Sequence, residues 1–163
     1  MGKRRDASAG TPATTALTRM GVAFEVHPYD HDPAAASYGL EAAAALSVPP
    51  DQVFKTLLVD GDGGLAVGVV PVDRQLDLKA VAAALGRKKV TMAPPADAER
   101  STGYVVGGIS PIGQKRGLPT VVDESALAFD RVYVSGGRRG LDISLAPADL
   151  VSATRATVAP IAR

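Results

Sequence analysis

The spacing of apolar residues predicts an alternation of helices and strands along most of the chain. In residues 76–85 apolar side chains recur at i, i+3, i+4 and i+7, which is typical of an amphipathic helix, and Gly86 ends it. Val48-Pro49-Pro50 terminates an alanine-rich helix by another means, because proline lacks an N–H and disfavours helical geometry in the residue before it. The predicted helices are 16–20, 39–46, 76–85 and 147–153, with helical turns after Pro94 and at 124–128.

Short apolar or alternating runs predict strands between these helices. Asp60-Gly-Asp-Gly-Gly64 separates two such runs and is a strong hairpin signal. Because the hairpins are short and helices are interleaved, we expect an α+β fold, a mixed sheet with flanking helices, and not a regular parallel array. The predicted strands are 22–27, 53–59, 65–70, 89–92, 119–122, 131–135, 141–145 and 157–161.

Composition and length are those of one soluble domain. The chain has 163 residues, of which 46% are hydrophobic and 21% charged. Residues 1–15 are basic and rich in small side chains, so we expect a disordered tail followed by a single domain over 16–163. No apolar run is long enough to cross a bilayer, and we expect no membrane partner.

The absence of cysteine limits the possible chemistry. The chain contains no cysteine, which excludes disulfides, a thiol nucleophile and thiolate metal sites, and fits a reducing, cytoplasmic location. The formal net charge is only +1, so any contact with nucleic acid must come from local basic clusters. For any one cluster alone, solvated surface is the favoured explanation; the clusters are Lys3-Arg4-Arg5, Arg87-Lys88-Lys89, Lys115-Arg116 and Arg138-Arg139.

The stretch from Gly103 to Gly117 contains five glycines and allows two interpretations. It is either a tight loop between strands, or a turn whose free N–H groups form an anion-binding nest. It is not a P-loop, because Gln114 stands where lysine is required. Nor is Ser110 a hydrolase nucleophile, since its neighbours do not form G-x-S-x-G and a proline follows it.

Lys55 lies inside the apolar run 53–59. Both faces of this predicted strand are largely apolar, so we expect it to be central and covered on both sides. Burying an unpaired ammonium is costly. Lys55 therefore either extends to solvent along its aliphatic stem or occupies a functional cleft.

Two further segments have a functional and a structural interpretation. His27 and His31 are four residues apart, but Pro28 between them argues for a loop and against a helical metal site. The favoured explanation for the polar side chains of this loop is bonding to their own backbone. Gly136-Gly-Arg-Arg-Gly140 is a hairpin turn whose guanidinium groups are also suited to phosphate.

Four motifs together resemble the YbaK/EbsC family of free-standing aminoacyl-tRNA editing proteins, which are related to the insertion domain of bacterial prolyl-tRNA synthetase. The similarity runs from about Ala16 to the C terminus, and the order and spacing of the motifs make it specific. It implies a mixed, partly barrel-like sheet surrounded by helices. The motifs are Val53-Phe-Lys-Thr-Leu-Leu-Val59, Gln75-Leu-Asp-Leu-Lys-Ala-Val81, Thr102-Gly-Tyr-Val-Val-Gly-Gly-Ile-Ser-Pro-Ile-Gly-Gln-Lys115 and Tyr133-Val-Ser-Gly-Gly-Arg-Arg-Gly-Leu141.

The resemblance also implies roles for individual residues. Lys55 matches the lysine on which these proteins depend, and Gly107 and Gly108 belong to the loop that would supply N–H donors. Tyr38 falls where relatives often have phenylalanine, which adds a hydroxyl to the pocket. The implied catalytic residues are Lys55, Gly107 and Gly108, and the implied substrate-binding residues are Tyr29, Tyr38, Ile109, Ser110, Ser135 and Asp142.

The activity implied by the resemblance is removal of cysteine mistakenly attached to tRNA(Pro), with prolyl-tRNA synthetase as a partner. In this family the substrate's own thiol attacks its ester, so the enzyme needs no cofactor, metal or nucleophile. It needs only to position the substrate and to stabilise the carbonyl oxygen, a role suited to the N–H groups around Gly108 to Ser110. Two alternatives remain open: a deacylase for another amino acid such as alanine, and a non-catalytic tRNA- or synthetase-binding module.

Overall fold

The first helix begins earlier than the pattern predicts. The computed structural model describes residues 10–163, and helix α1 spans Pro12–Met20. The Thr11 side chain accepts a hydrogen bond from the Thr14 N–H, and Gly21 ends the helix in a left-handed conformation. Ala13 is fully buried. Residues 12–15 of the predicted tail therefore form the first turn of α1, and residues 1–9 lie outside the described residues.

The strands form two sheets. One has three antiparallel strands in the order β1-β7-β6, and the other five strands in the order β4-β2-β3-β5-β8. The strands are β1 Glu25–Pro28, β2 Phe54–Gly61, β3 Ala66–Pro71, β4 Val90–Met92, β5 Thr120–Asp123, β6 Val132–Arg138, β7 Leu141–Leu145 and β8 Thr157–Ala159.

Strand β2 lies inside the five-stranded sheet, as its two apolar faces predict. It pairs antiparallel with β3 through the predicted hairpin and with β4 on its other side. β3 then pairs parallel with β5, and β5 parallel with β8, so the sheet is mixed. Every residue of β3 and β5 is buried, which explains why apolar and β-branched residues dominate both strands up to Asp123 at the end of β5.

Four further helices pack around the sheets. The pair of prolines at residues 94 and 95 opens a full helix and not only a turn, because Pro95 occupies the first helical position. Among residues 10–163, no helix combines the length and apolarity needed to span a membrane. The helices are α2 Tyr38–Leu46, α3 Leu78–Ala84, α4 Pro95–Thr102 and α5 Pro147–Thr154, with 3₁₀ turns at Pro50–Gln52 and Glu124–Ala128.

The mixed α+β architecture is confirmed, but the sheets do not close into a barrel. The main core lies between the two sheets and includes Phe54, Leu58 and Ile143. A second core packs α3 against the other side of the five-stranded sheet. A single parallel bridge between Val53 and Tyr133 links the sheets just before β2 begins. Beside that bridge the chain leaves a cavity.

Candidate active site

A cavity of about 400 Å³ opens between β2, the start of α2 and the turn at residues 105–109. Its other walls come from the ends of β6 and β7 and from the β4–α4 connection. Seven of the nine residues predicted for the site line this cavity, although they come from five separate segments of the chain. They are Tyr29, Tyr38, Lys55, Gly107, Ile109, Ser135 and Asp142.

Lys55 is half-buried in the wall formed by β2. Its neighbours Phe54 and Leu58 pack into the main core, so the strand itself is held rigidly. Desolvation by the surrounding protein lowers the pKa of Lys55, and the Asp73 carboxylate opposes this shift. Among residues 10–163, no carboxylate lies within salt-bridge distance of the Lys55 ammonium. Lys55 therefore lies in the wall of a cleft, and its functional role stays a prediction.

Asp142 places a buried carboxyl group in the opposite wall. It lies on β7 directly across from His27 on one side and Ser135 on the other, and only 5% of it is exposed. Burial raises the pKa of this carboxyl group to about 7. Burial, followed by the field of Asp142, raises the pKa of the neighbouring Tyr29 to about 12. A cation bound in the cavity would find a carboxylate partner here.

The turn at Gly107 provides a wall of main chain. Gly107 has φ of 90°, and a Cβ at this position would lie 2.8 Å from the Tyr38 ring and 2.9 Å from Arg139 Nε. Only glycine allows this approach. Within residues 10–163, the N–H groups of Gly107 and Ile109 have no hydrogen-bond partner. Both residues line the cavity, so these N–H groups are candidate donors to a substrate oxygen.

Gly108 and Ser110 lie behind this wall and do not line the cavity. The Gly108 N–H donates to the Val105 carbonyl at 2.8 Å, which removes it from the donors expected to meet the substrate. A Cβ on Gly108 would lie 2.7 Å from the Arg138 Cα. Ser110 is fully buried, and its hydroxyl accepts from the Ile112 N–H at 3.3 Å. In the structure both residues shape the turn from behind.

The two histidines do not share a site. His27 Nε2 lies 2.7 Å from Ser144 Oγ on the three-stranded sheet, and desolvation lowers the pKa of His27. His31 instead pairs with Glu41, with 2.8 Å between Nδ1 and Oε1. Its ring lies 5.8 Å from that of Tyr38 at the rim of the cavity. The structure therefore places His27 on strand β1 and His31 in the loop after it, each with a separate side-chain partner.

Several wall residues escaped prediction. The β4–α4 connection supplies Met92, Ala93 and Pro95, which have no chemical group that a motif search would notice. Thr56, next to Lys55, also lines the cavity, and its hydroxyl is buried without a hydrogen-bond partner in the described part of the chain. Its position beside the predicted lysine was the only available signal.

The chain is similar in sequence and in fold to known proteins. The family model of the aminoacyl-tRNA editing domain matches residues 32–153, about three quarters of the chain. A crystal structure of a protein described as a candidate trans-editing enzyme for prolyl-tRNA synthetase superposes with a TM-score of 0.83 and 28% identity. That match covers 96% of this chain and 97% of the other.

Sequence relatives agree with the structural match. The chain is 42% identical over 120 residues to EbsC of Enterococcus faecalis, named as a candidate Cys-tRNA(Pro)/Cys-tRNA(Cys) deacylase, and covers 73% of each protein. It is 34% identical over 83 residues to proline–tRNA ligase of Moorella thermoacetica. That similarity spans 51% of this chain and 14% of the ligase, so only a segment of the ligase corresponds. The resemblance found from the four motifs is confirmed.

Proposed function

The chain belongs to the aminoacyl-tRNA editing domain family, and from that premise we propose that it removes cysteine mistakenly attached to tRNA(Pro). The observation that carries the proposal is the cavity itself. It holds the ammonium of Lys55, the buried carboxyl group of Asp142 and the free N–H groups of Gly107 and Ile109. The chain contributes no cysteine to this chemistry. Such a site can bind and orient an activated ester without attacking it.

The proposed reaction is an intramolecular transfer within the substrate. The cysteine thiol sulfur forms a bond to the ester carbonyl carbon, and the bond from that carbon to the ribose oxygen breaks. The products are a cyclic thiolactone and the free tRNA, whose ribose oxygen gains the proton that the thiol lost. The thiol and the carbonyl already belong to one molecule, so the site contributes orientation: it holds the thiol against the carbonyl in the reactive geometry.

Each wall of the cavity has a role in this reaction. The N–H groups of Gly107 and Ile109 donate to the carbonyl oxygen as it gains negative charge. Asp142, once ionised, pairs with the α-ammonium of the aminoacyl group, which replaces the solvation that burial removes. Lys55 contacts the terminal ribose or phosphate as a compact positive charge. Tyr38 and Tyr29 limit the space for the amino-acid side chain.

Replacing Lys55 by alanine tests the proposal directly. We expect the Lys55→Ala variant to lose deacylation of Cys-tRNA(Pro) by a factor of about 100 or more, since a charged contact to the substrate disappears. Single-turnover release of cysteine or thiolactone measures the rate, and thermal unfolding checks the fold. Lys79→Ala is the matched control, because Lys79 is exposed on α3 and does not line the cavity. Equal rates in both variants would remove Lys55 from the mechanism.

A hydrolytic alternative is supported by Asp142. A carboxyl group with a pKa of about 7 is suited to accept a proton from water, which would allow deacylation of Ala-tRNA(Pro), a substrate without a thiol. A panel of cysteinyl, alanyl and seryl tRNA(Pro) separates the possibilities. Thiolactone released from the cysteinyl substrate alone supports the first proposal. Free alanine supports the hydrolytic enzyme, and binding without turnover of any substrate supports a non-catalytic module.

We also propose that prolyl-tRNA synthetase supplies part of the tRNA affinity. The net charge of +1 is small for a protein that binds a polyanion alone, because phosphate neutralisation provides most of that affinity. Adding the synthetase should lower the tRNA concentration needed for half-maximal editing. An unchanged concentration dependence would contradict this partnership.

A further inference from the structure

Arg139 contacts the cavity wall without lining the cavity. Its Nε–H donates to the Val106 carbonyl at 2.9 Å, and its guanidinium carbon lies 5.1 Å from the centre of the Tyr38 ring. The Nε atom also lies 2.9 Å from the position that a Cβ on Gly107 would take. The exposed Arg139 side chain thus contacts both the main chain at Val106 and the aromatic ring of Tyr38.

These contacts join three separate segments. Tyr38 begins α2, Val106 belongs to the turn at residues 105–109, and Arg139 lies at the end of the β6–β7 hairpin. Within residues 10–163, no backbone hydrogen bond connects these segments to one another. Main chain packs closely where Gly108 meets Arg138, but the polar contacts between the segments at the rim come from side chains, and Arg139 contacts both of the others.

The bonded carbonyl belongs to the same peptide group as a proposed substrate donor. The Val106 C=O and the Gly107 N–H lie in one planar unit and point in opposite directions. Fixing the carbonyl fixes the direction of the N–H, and a cationic donor on the carbonyl also polarises the peptide and strengthens the N–H as a donor. The rigid plane of the guanidinium suits this role, whereas a lysine ammonium lacks both the plane and an Nε–H.

From these contacts we infer that Arg139 is a positioning residue for deacylation. It holds the Val106–Gly107 peptide against Tyr38, so that the Gly107 N–H faces the substrate carbonyl. The inference rests on the proposed function of the cavity. We expect Arg139 to affect the rate at which bound substrate is deacylated, and not the affinity of the protein for that substrate.

Two substitutions separate positioning from simple charge. Arg139→Ala removes the hydrogen bond, the aromatic contact and the charge, whereas Arg139→Lys retains the charge alone. Both should lower the single-turnover rate at saturating Cys-tRNA(Pro) by a factor of roughly 10 to 100, with little change in half-saturating concentration. A wild-type rate in Arg139→Lys, or a loss confined to affinity, would overturn the inference in favour of an electrostatic contact with the tRNA.

Arg87 is the matched control. It is a partly exposed arginine that donates to a backbone carbonyl of a glycine turn, that of Gly64 at 2.6 Å, and that turn does not line the cavity. Arg87→Ala removes the same charge and the same kind of bond as Arg139→Ala. It should deacylate at the wild-type rate. A loss equal to that of Arg139→Ala would mean that both losses reflect charge and not wall geometry.

A second measurement does not depend on enzymatic activity. Amide hydrogen exchange across residues 105–109 should accelerate in Arg139→Ala and stay unchanged in Arg87→Ala, because only the former frees the Val106–Gly107 peptide. Unchanged exchange in Arg139→Ala overturns the inference. A wild-type protein inactive on every charged tRNA would instead refute the proposed function, while the exchange result would still decide whether Arg139 holds the wall.

Discussion

Two of the turns that contain a glycine pair each hold a glycine at nearly the same φ. Gly64 in the β2–β3 hairpin has φ of 93°, and Gly107 has φ of 90°. In both turns an arginine guanidinium donates to a main-chain carbonyl. The turns differ in what surrounds them: nothing lies within 4 Å of a Cβ built on Gly64, whereas one on Gly107 meets Tyr38 and Arg139.

The comparison shows that a glycine's backbone angle does not reveal its function. Both turns need glycine because a positive φ strains other residues. Only the turn at Gly107 uses the missing side chain to bring main-chain N–H groups against a cavity. Substitutions that are equivalent in backbone strain should therefore have unequal effects on activity.

The largest expected difference is between Gly107→Ala and Gly64→Ala. Each should lower the free energy of unfolding by about 1 kcal/mol or more through backbone strain. Gly107→Ala should in addition reduce kcat/KM for deacylation about 100-fold, since the new methyl group displaces the main chain that carries the N–H groups of Gly107 and Ile109. Denaturant titration and single-turnover kinetics measure the two effects. Equal activity in both variants would eliminate the functional distinction between the turns.

Gly108 should show the opposite balance of effects. A Cβ there would meet the Arg138 backbone at 2.7 Å, and backbone cannot move aside as a side chain can. We expect Gly108→Ala to lower the free energy of unfolding by about 1 to 3 kcal/mol beyond the loss in Gly107→Ala. Urea denaturation measures it. A stable but inactive Gly108→Ala would instead return Gly108 to the catalytic role that the motif implies.

Charge provides the next comparison, between Asp142 at the cavity and the exposed Asp62 at the hairpin. Burial raises the pKa of Asp142 from 3.8 to about 7, so the folded protein holds this proton more tightly than the unfolded chain. That stabilisation is complete below pH 4 and is lost as pH rises to 7. Asp142→Asn should therefore be more stable than wild type at pH 8, by about 2 kcal/mol.

Denaturation at pH 5 and pH 8 measures the Asp142 effect. Asp62→Asn, at an exposed position of the hairpin, is the control for removing one carboxylate outside the cavity. If wild type and Asp142→Asn lose stability in parallel between these pH values, then Asp142 is not the buried acid that its surroundings indicate.

The spacing of apolar residues predicted most of the helices and strands, because residues that face a core have to be apolar. Strand β3, buried along its whole length, has an apolar sequence that admits few other interpretations. The start of α1 was missed because Thr11 and Pro12 sit in a run of small residues, where a helix cap resembles tail composition. The barrel-like expectation came from family resemblance, and only the pairing of strands shows that the two sheets stay open.

The cavity was harder to predict in detail than in outline. The motifs identified Lys55 and the glycine pair, but which glycine faces the cavity depends on how the turn is oriented. Gly107 faces it and Gly108 donates to Val105 behind it. The contact between Arg139 and Val106 spans 33 positions of the chain, and no spacing rule links the two.

The cap of α1 also has a consequence for how the chain folds. The Thr11 hydroxyl, besides capping the helix, donates to the Gly136 carbonyl on β6, 125 residues later. The helix is synthesised well before the strand that supplies its docking surface. Closing so long a loop is entropically costly and slows folding. We therefore expect α1 to dock in a late step, after the hairpin of β6 and β7 has formed.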